Sequence, residues 1–346
     1  MSSLLRPLLS LYQNNRTTIN RAISAAWLSG IVWLTLGELP VYPAQWRAVI
    51  AASILTVGLW TVEGAFYIAI LVLLYPLYHI SVYVMVLFLA AAILLRPVIV
   101  AHSNQTLLVV SVPLLAQMHL EAVPALWAGL LWGAGGGMWV GGLAALWFKL
   151  LGGMSGLNID LGVLISSPLN VNLIMDRFHT ANSLETLQRL VEPFAPSSMV
   201  ALSHLLQILI WGMAGYLGGG MARRRWMDEW GTLGRVICLV AGAALLWAGN
   251  LWVPVWLGLR PGDEVMTQVT SAVMNSLFAI SVVGLLDGCH RLLNRPLPTR
   301  RRRKPVSEPT EWVISEGPKP LPLSHKVPEP VPSDEQDDDI IMIELD

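Results

Sequence analysis

Apolar residues fill the first 295 positions in long blocks that few charges interrupt. A helix needs about 20 mainly apolar residues to cross the hydrocarbon core of a bilayer, and its backbone polar groups must be paired inside the membrane. The pattern therefore predicts an all-α, polytopic transmembrane helix bundle. The blocks are residues 22–38, 47–101, 104–120, 123–151, 199–221, 234–258 and 265–290.

Basic residues set the expected orientation, because Lys and Arg gather in short cytoplasmic loops. Both termini are therefore predicted to lie in the cytoplasm, with the bundle in the cell membrane, so the number of spans is even. Three clusters carry this argument: Arg6, Arg16 and Arg21; Arg223, Arg224, Arg225 and Arg235; and Arg291, Arg295 and the run from Arg300 to Lys304.

The number of spans depends on how block 47–101 divides. Two spans there give eight in all, whereas three spans there, with 161–175 also crossing, give ten. Eight is slightly favoured because Pro168, Asn170 and Asn172 suit a lipid-facing helix poorly. Residues 161–175 are then a re-entrant half-helix, tolerated only where protein covers it.

Residues 152–198 are predicted to be an outer-side region that includes a short amphipathic helix. In NSLETLQRLVE, residues 182–192, the leucines share one face. Asn182 and Glu185 have the spacing of a capping box. With 161–175, this helix is expected to cap the bundle.

The chain divides into parts that differ in their content of charged residues and proline. Hydrophobic residues make up 54% and charged residues 13% of the whole. Residues 1–295 hold 15 Lys and Arg and 12 Asp and Glu, whereas 296–346 hold 7 and 11, with 10 of the 22 prolines. We expect a cytoplasmic N-terminal arm (1–21), a transmembrane domain (22–293) and a disordered, Pro-rich acidic tail (294–346).

Glycines recur every four residues in block 123–151. Four-residue spacing places them on one helix face, where another membrane helix can approach closely. The block is about 43 Å long as a straight helix, so it should tilt, protrude or break near 135–137. The glycines predicted to pack helices are Gly129, Gly133, Gly137, Gly141, Gly215 and Gly219.

The sequence LWAGLLWGAGGGMWVGGLAALW, residues 126–147, resembles Gly-rich spans in the substrate-binding subunits of energy-coupling-factor vitamin transporters. The resemblance covers less than a tenth of the chain and has no residue-specific motif. It implies a helix that lines a substrate cavity or hinge, and no site residue follows from it.

Ionisable residues inside spans are costly and therefore suggest function. Glu63 and His79 are the cavity candidates, with His204 the third residue placed away from segment ends. The scarcity of deep charges argues against ion or proton coupling. No metal site, cofactor motif or nucleotide-binding motif is found. The other ionisable residues near spans are Glu38, Arg96, His102, His119, Glu121, Asp287 and His290.

Residues 153–156 (GMSG) match the GxSG motif of rhomboid intramembrane proteases, and His204 follows in the next clear span. The resemblance implies a Ser–His pair for acyl transfer. However, Gln207 and Trp211 stand where that family has glycines. Ser155 and His204 are therefore weak candidates, and no catalytic residue is assigned.

The tail suggests two contacts. Its run from Arg300 to Lys304 (Arg300, Arg301, Arg302, Arg303, Lys304) suits the membrane surface, and residues 334–346 suit a cytosolic protein partner. Three functions remain open: a transporter or permease-like bundle without its own ATPase, a scaffold, sensor or assembly subunit, and, as a minor alternative, an intramembrane hydrolase. A membrane-protein partner or a homo-oligomer is compatible with each, and nucleic acid is not expected.

Overall fold

The computed structural model of the protein describes residues 9–39, 41–154, 171–225 and 229–294. These ranges are helical and contain no strand. The helices are α1 (Arg16–Glu38), α2 (Ala44–Trp60), α3 (Val62–Ile80), α4 (Val82–Ala101), α5 (Ser103–Gln117), α6 (Val123–Met154), α7 (Val171–Phe178), α8 (Ser183–Val191), α9 (Ser198–Ala222), α10 (Thr232–Trp256) and α11 (Gly262–Leu293).

The protein is an all-α, multi-pass membrane protein, as predicted. Among the described residues, seven helices are long and apolar enough to cross a bilayer. Many of their large apolar side chains are exposed, as lipid-facing surfaces require. These helices are α1, α3, α4, α6, α9, α10 and residues 268–293 of α11.

The bundle has two ends. The side-chain amide of Gln13, which precedes α1, donates to the carbonyl oxygen of Leu293 at 3.3 Å, so the segment before α1 meets the end of α11. We call this the terminal end. The opposite end, which we call the cap end, carries α7 and α8. The hydroxyl of Ser29 in α1 donates to the carbonyl oxygen of Ala51 in α2 at 2.7 Å, in keeping with α2 running antiparallel to α1.

Block 47–101 holds three helices, of which α3 and α4 are long and apolar enough to cross a bilayer, whereas α2, with 17 residues, is shorter. Thr61 and Ser81 are each a single extended residue between helices, with φ of −141° and −166°. One such residue is enough to reverse the chain. Arg96 of α4 reaches Tyr67 of α3, which confirms that α3 and α4 run side by side.

Helix α6 folds back on itself at Gly133, where φ is 77° and ψ is −166°. A Cβ placed on Gly137 would lie 2.7 Å from the Cα of Gly129, and one on Gly141 would lie 3.3 Å from the Cβ of Ala125. In a straight helix these pairs would be about 12 and 24 Å apart. The helix therefore has two antiparallel arms, α6a (123–132) and α6b (134–154), and it breaks before the predicted 135–137.

The reversal at Gly133 adds one short helical segment to the path of the chain. Helix α5 runs away from the terminal end, the turn at 118–122 reverses the chain, and α6a returns. Leu120 of this turn packs in one cluster with Ala145 and Phe148 of α6b, so the turn stops short of the end of α6b. Counting α5 and the short arm α6a, ten helical segments of the described chain run alternately away from and toward the terminal end.

The cap end is held by Arg177 of α7. Its guanidinium donates to the carbonyl oxygens of Gly153 at 2.9 Å and Arg189 at 2.8 Å, so α6, α7 and α8 are tied together. Helix α8 begins with both hydrogen bonds of the capping box between Asn182 and Glu185, at 2.8 and 3.2 Å. Residues 155–170 and 295–346, which include most of 161–175 and of the tail, lie outside the described residues.

We predict that Gly133→Ala destabilises the purified protein by about 1–2 kcal/mol, because an L side chain strains a left-handed backbone. Gly135→Ala is the matched control, since a Cβ there meets nothing within 4 Å. Thermal unfolding in detergent micelles measures both. Equal midpoints for the two variants would contradict the folded-back geometry.

Candidate functional site: a buried polar cluster between α6 and α9

Glycine faces bring α6 and α9 into backbone contact. A Cβ on Gly129 would lie 2.6 Å from the carbonyl oxygen of Gly215, and a Cβ on Gly215 would overlap the carbonyl of Gly137. Side chains cannot enter so narrow a gap. The structure places all six glycines singled out above at this contact: Gly129, Gly133, Gly137, Gly141, Gly215 and Gly219.

The four-residue spacing continues beyond the glycines on both helices, and the last residues at these positions are polar. On α6b, Ala145 and then Lys149 follow Gly141. On α9, the positions that follow Gly215 toward the cap end are Trp211 and Gln207. Since the two helices are antiparallel, the polar ends of both faces meet on the cap side of the glycine contact.

Lys149 is at the centre of this polar cluster. Its Nζ donates to Oε1 of Gln207 at 2.6 Å and lies 2.8 Å from Nδ1 of His204. Lys149 and Gln207 are 0% exposed and His204 is 6% exposed. A charged ammonium donates to Nδ1 when the imidazole carries its proton on Nε2. We call Lys149, His204 and Gln207 the Lys149 cluster.

A second hydrogen bond extends the polar contacts toward α10. The indole Nε1 of Trp211 donates to Oδ1 of Asn250 at 3.0 Å, and Trp211 is fully buried. This bond satisfies the indole N–H, which is otherwise costly to bury. The Lys149 cluster therefore lies beside a rigid contact between α9 and α10.

Residues 193–194 cover the cap side of the cluster. The ring of Phe194 lies 6.0 Å from the ring of His204 in an edge-on arrangement. Pro193 and Phe194 also pack at Gly153, where an added Cβ would lie 3.4–3.5 Å from them. The cluster is therefore enclosed by α6b, α9 and the segment that leads into α9.

The two cavity candidates from the sequence lie outside the bundle interior. Glu63 is exposed in the first turn of α3 and lines a shallow groove with Arg96 of α4. His79 is exposed in the last turn of α3, where it packs against Tyr75 at 4.7 Å between ring centroids. Both occupy segment ends, where polar groups reach the interface easily.

Some of the remaining candidate site residues lie in the described part of the chain, and others do not. His204 belongs to the Lys149 cluster, whereas Ser155, Arg300 to Lys304 and residues 334–346 lie outside the described residues. Asp287 pairs with Arg235 at 2.7 Å and with Arg291 at 3.0 Å. Its carboxylate is thus engaged by two guanidinium groups near the terminal end.

Lys149 is the residue that sequence reasoning missed. It stands near the end of an apolar block, where a lysine usually extends to the membrane surface. The signal that identifies it is the spacing: Lys149 is eight residues beyond Gly141, on the same helix face. A face that packs against another helix is a buried face, so Lys149 had to be buried too.

No protein family, curated protein or solved structure matches this chain.

We predict that Gly215→Ala destabilises the protein by about 1–3 kcal/mol, because the added methyl group overpacks a backbone contact. Gly284→Ala in α11 is the matched control, since a Cβ there meets nothing within 4 Å. The measurement is the thermal unfolding midpoint in detergent. A control that loses as much stability as Gly215→Ala would show that the α6–α9 contact is not tight.

Proposed function

We propose that the protein is a transporter or permease-like bundle that carries a small polar solute and has no ATPase of its own. The observation that carries this proposal is the Lys149 cluster, in which a fully buried ammonium contacts Gln207 and His204 inside an apolar helix bundle. Ionisable groups inside membrane helices are costly, and those retained commonly mark substrate or ion pathways.

The folded α6 supports the same proposal. Transporters commonly build their binding sites from discontinuous helices near the middle of the membrane. Here α6a is too short to cross a bilayer, since its ten residues extend about 15 Å. Its N-terminal end stops inside the bundle, beside the part of α6b that leads to Lys149. Irregular backbone at such depth requires a covering of protein, which α9 supplies.

The distribution of basic residues supports an orientation. Arg223, Arg224, Arg235 and Arg291 all lie near the terminal end. Because arginines favour cytoplasmic loops, we place the terminal end, and with it both termini, in the cytoplasm of a cell-membrane protein. The Lys149 cluster then lies nearer the outer surface, beneath the cap.

Transport is tested by uptake into proteoliposomes. The panel contains radiolabelled lactate, succinate, phosphate, glucose and choline, and empty liposomes give the background. We expect wild type to take up at least one solute above background. We expect Lys149→Met to lower that uptake at least tenfold, because the ammonium is lost from the site. Arg21→Met, an exposed basic residue of an apolar helix, should keep wild-type uptake.

Two results would count against this function. Background uptake of every solute by folded wild-type protein would contradict transport. Equal uptake by wild type and Lys149→Met would contradict the assignment of the site. Gln207→Leu provides an independent second variant, because it removes the acceptor at 2.6 Å from Lys149 while keeping the charge.

Orientation is tested by labelling single cysteines in whole cells with a membrane-impermeant maleimide, in a background without Cys238 and Cys289. Leu184→Cys in the exposed face of α8 should be labelled from outside. Arg224→Cys at the terminal end should be labelled only after the cells are permeabilised. The reverse pattern would overturn the proposed orientation.

A further inference from the structure

A groove between α3 and α4 carries an acidic and a basic side chain on the outer surface of the bundle. Glu63 lies in the first turn of α3, and Arg96 lies about one and a half turns before the end of α4. Both line the groove together with Tyr67, and all three residues are exposed. Helix α3 begins at the terminal end and α4 returns to it, so the groove opens near that end.

The antiparallel register of α3 and α4 orders the groove from the terminal end inward. The two helices are joined through Ser81, so residues equally distant from Ser81 along the chain lie at similar levels. Glu63 is nearest the terminal end. Tyr67 and Arg96 lie about one helical turn deeper, and the hydrogen bond from Nε of Arg96 to the hydroxyl oxygen of Tyr67, at 2.8 Å, joins them at that level.

The walls of the groove are apolar below this level. Ile70 of α3 and Ala92 of α4 lie about one further turn from the terminal end, and the buried Phe66 also lines the groove. Both helices are long and apolar enough to cross a bilayer, and only 6% of the most apolar stretch of α4 is buried. The groove is therefore open to lipid along its length.

Within the residues that the structure describes, neither charge of the groove has an ionic partner. Glu63 makes no ion pair, and Arg96 has only Tyr67, over whose ring its guanidinium carbon lies at 5.6 Å from the centroid. The bond to Tyr67 uses Nε, so both Nη groups of Arg96 remain as donors, and the hydroxyl of Tyr67 keeps its own proton to donate. Charged groups beside hydrocarbon are costly without partners. The groove therefore suits a ligand that carries a positive and a negative group.

We propose that this groove binds one phospholipid with a primary ammonium headgroup, phosphatidylethanolamine. The guanidinium of Arg96 and the hydroxyl of Tyr67 donate to the phosphate, and the carboxylate of Glu63 accepts from the ammonium. One acyl chain lies along the apolar walls. The order of the groups carries the assignment. From water inward the lipid presents ammonium, phosphate and hydrocarbon, and the groove presents Glu63, then Arg96 with Tyr67, then Ile70 with Ala92.

The same chemistry selects against other common phospholipids. A quaternary ammonium, as in phosphatidylcholine, has no N–H and cannot donate a charge-assisted hydrogen bond to Glu63. Phosphatidylglycerol has no cation, so its headgroup would leave the carboxylate of Glu63 without an ionic partner. Arginine binds the phosphate of all three lipids. Glu63 is therefore the residue that sets the preference, and Arg96 the residue that sets the affinity.

Binding is measured by native mass spectrometry of the full chain, purified in detergent and stripped of lipid. Phosphatidylethanolamine, phosphatidylcholine and phosphatidylglycerol are added separately, with identical acyl chains. We expect one tightly bound phosphatidylethanolamine per chain. The other two lipids should bind about tenfold more weakly, which is the effect of losing one charge-assisted hydrogen bond.

Substitutions separate the two charges of the groove. Glu63→Gln should lower the affinity for phosphatidylethanolamine about tenfold and leave that for phosphatidylcholine unchanged. Arg96→Gln should weaken the binding of all three lipids, because each has a phosphate. The matched controls are Glu38→Gln, an exposed carboxyl at the cap end, and Arg21→Gln, an exposed arginine of α1. Both controls should bind as wild type does.

Reversal of the charge at position 63 gives a test that loss of folding cannot imitate. Glu63→Lys should bind phosphatidylglycerol more tightly than phosphatidylethanolamine, because the groove then carries two positive charges. Thermal unfolding in detergent gives a second measure, since a ligand that binds only the folded state raises its stability. Phosphatidylethanolamine should raise the midpoint of wild type more than that of Glu63→Gln.

Three results would overturn this site. Equal binding of the three lipids by wild type, unchanged in Glu63→Gln and Arg96→Gln, would mean adventitious lipid only. A preference of wild type for phosphatidylglycerol would contradict the role of Glu63. A dimer that carries no lipid and dissociates in Arg96→Gln would assign the groove to a second copy of the chain. None of these results bears on the proposed transport, because no residue of the Lys149 cluster lines the groove.

Discussion

Backbone contact between α6 and α9 determines the architecture of this bundle. Lipid removes the hydrophobic driving force between membrane helices, so their association depends on packing and hydrogen bonds. Here the carbonyl oxygens of Gly215 and Gly137 lie where side chains would otherwise stand. Such proximity lets α6a and α6b lie against the same face of α9. The remaining helices can then cover the unit formed by α6a, α6b and α9. Without them, the backbone at Gly133, where the helix is interrupted, would be exposed.

The same contact explains the burial of the polar cluster. Helices that meet at glycines cannot separate within a few turns, so residues farther along the same faces remain enclosed. Lys149 lies two turns beyond Gly141 and has no route to the membrane surface along its own face. Its ammonium is therefore met by Gln207 and His204 of the neighbouring helix rather than by lipid headgroups. Close packing thus converts a lysine near a helix end into an interior charge.

Much of the fold could be predicted from the sequence, because apolar length and helix caps are local properties. The class of protein, the approximate spans and the capping box of α8 follow from composition and spacing. Chain reversals could not be predicted, because Thr61, Ser81 and Gly133 are single residues without a distinctive pattern. Lys149 could have been found from four-residue spacing, whereas its contacts with Gln207 and His204 could not, because they join residues far apart in sequence.

The reversal at Gly133 also changes the functional interpretation. The sequence offered few deep charges and so argued against coupling to ions or protons. Once α6 folds back, α6a and α6b lie against the same face of α9, and the face that carries Lys149 is enclosed. A lysine near the end of an apolar block is thereby held against Gln207 and His204 of the neighbouring helix. An ionisable group is costly to bury inside a membrane protein, so its retention favours a role in binding a solute over a role in packing alone.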